Sequence, residues 1–169
     1  MTYESSLANV LRITLLAHLE PPNDSIPNWQ LGLSGGTILL AGEAGEPASI
    51  FNRIAVRIRF DTDNRRILLT QCDISNGEIG VAGSGSPDYS GEPRLTLGMA
   101  ATPMPVSVLK RIWPVLVVPE VREWVTERVD RGNVQRLDVA VNAPVHTLVR
   151  GGPPIPDDGL SVNFLASGL

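Results

Sequence analysis

"NRIAVRIRF", residues 52–60, decides the fold class. Ile54, Val56, Ile58 and Phe60 alternate with Ala55, Arg57 and Arg59. Successive side chains of a strand point to opposite faces, so four apolar groups share one side and the arginines share the other. "DTDN" at 61–64 follows as a turn, and "RRILLTQCDI" at 65–74 returns as a second apolar run. Two such runs joined by turn-forming residues read as an antiparallel hairpin.

The same period extends outward in both directions. "NVLRITLLAHLE" places Leu11, Ile13, Leu15, Ala17 and Leu19 in alternation. "NWQLGLSGGTILLAG" does so for Trp29, Leu31 and Leu33 and continues through Ile38 and Leu40. Downstream, Ile79 and Val81, then Leu95, Leu97 and Met99, then Leu137, Val139 and Val141, then Val162, Phe164 and Ala166 repeat the pattern. About eight strands result, each with one apolar face, which is the mark of antiparallel sheet. The composition agrees: 16 Gly, 14 Pro and only 5% aromatic residues suit short strands joined by turns.

Residues 105–131 break the pattern. Val108, Leu109, Ile112 and Trp113 share a helical face after Pro105, and Pro114 stops that helix. Pro119 opens a second helix with Glu120 in its first turn, favourable at the positive end of the helix dipole. Val121, Trp124, Val125 and Val129 form its stripe, and Gly132 ends it. The apolar stripe of this helix pair must be buried against the sheet. Hairpin strands at 77–101 and again at 134–167 hint at an internal repeat punctuated by the helices.

At 169 residues the chain amounts to one domain, 1–169, with enough length for a sizeable core. Hydrophobic residues at 43% and charged residues at 19% mark it as globular. A net charge of −4 argues against a nucleic-acid partner, which needs a basic stripe. No basic leader followed by a long apolar run stands at the start, and Val10–Leu19 is too short to span a bilayer. The alternation reaches almost to both ends, so the chain reads as a segment of something longer.

Chemical motifs are lacking. Cys72, the single cysteine, lies in a strand and reads as a small buried hydrophobe. "DTDN" is not a calcium loop, because Arg66 and Cys72 occupy the positions where glycine and the bidentate acid belong. "GSGSPD" at 83–88 has no lysine and no following helix, so it reads as a turn. His18 and His146 lack metal-type neighbours at useful spacing, Asp157 and Asp158 sit in a Pro/Gly turn, and Glu123 and Glu127 read as a solvated helix face. No catalytic residue, metal set or cofactor site is expected, and the chain is not read as an enzyme.

"LKRIWPVLVVPEVREWVTERVDRGNV" at 109–134 resembles the repeat region of the AsmA-like envelope proteins, of the YhdP and TamB kind. The matching residues are Trp113, Pro114, Pro119, Arg122, Trp124, Val125 and Gly132, flanked by similar hairpins over about 77–167. The resemblance implies a mainly β fold: a curved antiparallel sheet of hairpins with an open, groove-like apolar face and a short helix pair. It implies transport of phospholipid between inner and outer membranes, with acyl chains lying in the groove. It also implies a periplasmic location, other envelope proteins as partners, and an inner-membrane anchor in the parent outside this segment. Leu95, Leu97, Met99, Leu137, Val139, Val141, Val162 and Phe164 are the expected lining. Alternation alone is equally compatible with a closed β-sandwich acting as a binding or scaffold module, because both bury one face of every strand.

Overall fold

A computed structural model of the chain describes residues 10–40, 48–112, 127–129, 131–149 and 151–168. The described residues form one antiparallel sheet. Its strands are β1 (Val10–Glu20), β2 (Trp29–Leu40), β3 (Ser49–Phe51), β4 (Arg53–Asp61), β5 (Arg66–Ser75), β6 (Gly80–Asp88), β7 (Arg94–Ala101), β8 (Met104–Pro105), β9 (Asn133–Pro144) and β10 (Leu160–Ser167). The main path runs β1-β2-β4-β5-β6-β7-β9-β10, with the short β3 and β8 attached to β2 and β9. Its two end strands do not pair with each other, so the sheet is open rather than closed into a barrel. The sequence pattern foresees the main-path strands except most of β6: 83–88, expected as a turn, is strand, because Gly83 and Gly85 pair with β7 without the side chains that alternation would show. β3 and β8 are too short for periodicity to reveal.

Nearly every neighbour on the path is the next strand in the chain, the simplest outcome of short turns between alternating runs. The β4–β5 hairpin forms as the alternation predicts, closing on the pair Asp61 and Arg66. Asp61 caps the turn. Its Oδ1 accepts from the Asn64 backbone N–H at 3.2 Å and from Asn64 Nδ2 at 2.9 Å, while Oδ2 accepts from Arg66 Nη2 at 3.0 Å. These bonds offset the cost of removing a nearly buried carboxylate from water. They hold its pKa below the ordinary aspartate value, Asn64 contributing most and Arg66 adding to it.

The helix α1 (Val106–Ile112) begins directly after Pro105. The proline's fixed φ suits a helix entry, and the Val106 N–H donates to the Gly132 carbonyl at 3.0 Å. Val106, Val108 and Leu109 are buried on the sheet, as the stripe requires. They join Met104, Phe51, Val129 and five residues of β9 (Val134, Leu137, Val139, Val141 and Ala143) in one core. The second expected helix lies largely outside the described residues, and with it Trp113, Pro114, Pro119, Arg122, Trp124 and Val125. Val129, at the end of its expected stripe, is buried.

Gly132 is described, and its φ of 116° is one that glycine adopts readily. A Cβ there would come within 2.7 Å of the Ser167 carbonyl oxygen. The glycine therefore lets the chain enter β9 tight against the end of β10.

Candidate functional site

Directly opposed residues of an antiparallel pair project to the same face. Following the register from strand to strand therefore traces which side chains form one surface. Leu19 stands opposite Leu31, Leu31 opposite Ile58, and Ile58 opposite Leu69. Leu69 is opposite Gly85, Gly85 opposite Leu97, Leu97 opposite Val141, and Val141 opposite Leu160. The row crosses all eight strands of the main path without a polar side chain.

A second row runs beside it. Ala17, Leu33, Val56 and Cys72 continue through Gly83, Met99, Val139 and Val162. Trp29 opposite Phe60, and Phe60 opposite Ile67, extend the surface at the hairpin end. Strands about 4.8 Å apart make such a row roughly 34 Å long, measured along the sheet.

Among the described residues this face is covered unevenly; away from the 61–66 turn Phe51 and Ile54 are buried, and Ile38 and Ile74 pack against the core. Over β9, α1 packs on one end, while Leu148 and Ile155 of the connection to β10 pack against the same core. Over β1, β2, β4 and β5 the face is more open. Leu19 is 57% exposed, Trp29 46% and Ile67 37%, with Leu31, Leu33, Val56, Ile58 and Phe60 half-buried between them. The result is an apolar surface running from β1 towards a packed core at β9.

All eight expected lining residues share this face. The register sets Leu97 against Val141, Met99 against Val139, Val162 against Val139 and Phe164 against Leu137. Leu95 faces Ala143, a core member. The eight differ in access. Leu137, Val139 and Val141 are buried in the core, whereas Leu95, Leu97, Met99, Val162 and Phe164 are half-buried.

The more accessible residues of this face are Leu19, Trp29 and Ile67, which sequence reasoning placed on strands but not in the lining. Their signal was the same alternation. What was missing was the register that joins their face to that of β7 and β9.

Cys72 sits in the second row between Val56 and Gly83. Its half-buried position pushes the thiol pKa up, and the neighbouring Asp73 charge adds to this. The thiol is therefore protonated at neutral pH and serves as an apolar wall.

In comparison with known proteins, no family model, curated protein or solved structure matches this chain.

The opposite face has different chemistry. Arg57 and Thr70 project there, and Arg136 pairs with Asp138. A shallow depression of about 370 Å³ crosses β6 to β10, walled by Ala82, Ser84, Gly98, Ala100, Ala140 and Ser161. Among the described residues, no group of three or more His, Cys, Asp or Glu could hold a metal ion. His146 pairs with Glu92 at 3.1 Å on the surface, far along the chain from Cys72.

Proposed function

We propose that this chain is a lipid-binding segment whose apolar surface holds the acyl chains of phospholipid. The observation that carries the reading is the uninterrupted row from Leu19 to Leu160, along which Leu19 is exposed and Leu31, Ile58 and Leu69 are half-buried among the described residues. Contiguous apolar surface of this kind is unfavourable in water and marks a binding surface. An acyl chain laid along it gains about 0.8 kcal/mol for each buried CH₂. The more accessible part of the row, over β1, β2, β4 and β5, spans about 14 Å between strand axes, close to one bilayer leaflet, which is about half of the 30 Å hydrocarbon core. An acyl chain of about that length therefore fits along it.

The motif resemblance at 109–134 supports the same reading. On it, the chain is part of an AsmA-like envelope protein in which phospholipid moves between inner and outer membranes through the periplasm, serving outer-membrane homeostasis. Other envelope proteins and a membrane anchor elsewhere in the parent belong to this proposal. Passage along such a surface requires a smooth apolar lining and no catalytic group.

The test is the lipid content of the purified chain by mass spectrometry, paired with photocrosslinking. A photoreactive residue at Ile58 should crosslink to phospholipid, and one at Arg57, on the opposite face, should not. A lipid-free chain with no crosslink at Ile58 would overturn the proposal.

A further inference from the structure

The two edges of the sheet are protected differently. β1 carries Arg12, His18 and Glu20, and its pairing with β2 slips twice, between Val10 and Arg12 and between Thr14 and Leu16. Charges and bulges of this kind discourage another strand from adding to an edge. β10 has neither charge nor proline: its sequence is LSVNFLAS. Among the described residues it pairs only with β9. Its unpaired edge is apolar on one face through Leu160, Val162 and Phe164, and on the other it presents Leu165, which is 55% exposed. An uncharged, regular edge with exposed leucine is a template for strand addition.

We infer that β10 pairs antiparallel with β10 of a second copy of this chain, about a two-fold axis at Asn163. The strand is self-complementary in that register. Val162 meets Phe164 of the other copy, and Phe164 meets its Val162, so the apolar face continues across the axis. On the polar face Asn163 meets its own counterpart, amide to amide, and Leu165 packs beside Ser161.

The β10–β9 pairing shifts between Leu165 and Ala166 because Gln135 of β9 is the extra residue, so β10 itself runs regularly from 160 to 167. A two-fold at Asn163 pairs 161 with 165 and 162 with 164. An axis at Phe164 would set Asn163 against leucine.

Head-to-tail addition of β10 to β1 would give open filaments, and the charges and slips of β1 oppose it. The isologous pair closes at two copies. This inference does not depend on lipid binding.

The test is sedimentation of the full chain over a range of concentrations, with Asn163→Asp and Asn163→Lys. Asn163 is exposed and stands opposite Asp138 of β9, so Asn163→Lys keeps the fold and Asn163→Asp adds only a surface like-charge pair; circular dichroism and thermal unfolding check that both variants stay folded. The wild-type chain should form a dimer. Each variant alone should lose it, because like charges directly opposite on adjacent strands repel. Mixing the two variants should restore a dimer containing one of each. A wild-type chain that stays monomeric at every concentration, or one that forms open filaments, overturns the inference. So does an Asn163→Asp chain that remains dimeric, or a mixture that stays monomeric.

Discussion

The side chain of Met99 lies over Gly83: a Cβ at position 83 would stand 2.9 Å from Met99 Cγ and 2.7 Å from the Gly98 carbonyl oxygen. Gly85 and Leu97 repeat the relationship two residues along, at 3.0 Å to Leu97 Cδ1. In the two long apolar rows, β6 thus contributes glycines and β7 supplies the hydrocarbon that covers them. Gly83→Val should force these strands apart. Overpacking of this kind costs roughly 1–3 kcal/mol. Thermal unfolding should show a lower Tm, by about 2–4 °C per kcal/mol for a chain of this size. An unchanged Tm would mean that β6 and β7 are not so closely apposed.

A carboxylate should act oppositely at the two ends of the apolar face. Val139 is 6% exposed in the packed core, so Val139→Asp buries an unpaired charge and should destabilise by more than about 4 kcal/mol. Leu19 is 57% exposed, so Leu19→Asp should cost about 1 kcal/mol or less. Denaturant unfolding measures both. On the proposed function, Leu19→Asp should also reduce copurified phospholipid while leaving the fold intact.

Cys72 reports on occupancy of the apolar surface. Its raised pKa keeps the thiolate scarce at neutral pH, so alkylation should be slow there. It should accelerate as pH climbs above the ordinary thiol value of about 8.5. Bound phospholipid should slow it further at every pH. The check is the alkylation rate against pH, read by mass spectrometry with and without lipid. A fast reaction at neutral pH would place Cys72 outside the apolar row.

Asp61 makes the β4–β5 turn sensitive to acid. Its folded pKa is depressed, chiefly by the Asn64 hydrogen bonds, so folding favours the ionised form. That contribution is fully present above the unfolded value of about 3.9 and is lost as pH falls through the lower folded value. Asp61→Asn should therefore destabilise the chain at neutral pH and flatten its stability profile in acid. Equal acid sensitivity of variant and wild type would argue against the cap.

The sequence by itself determined the secondary structure of most strands and the face each would bury. "NRIAVRIRF" could be little else, because period two allows one apolar side and one cationic side. The hairpin at 61–66 was equally legible, since turn residues separate two alternating runs. Val108 and Leu109 were destined for burial by helical spacing after Pro105. All of these are local consequences of backbone geometry.

Only the tertiary structure decided which faces join and which are covered. Alternation reads the same whether Val139 lies under a helix or Ile58 lines a more open surface, because both stand on apolar faces of strands. The distinction comes from contacts between distant parts of the chain: α1 reaches β9 and β3, and the connection carrying Leu148 and Ile155 packs on the same core, while Leu19, Trp29 and Ile67 stay exposed. Register settled the rest. The slips between Thr14 and Leu16 and between Arg57 and Ile58 reset the phase of alternation, and no single-strand pattern records that.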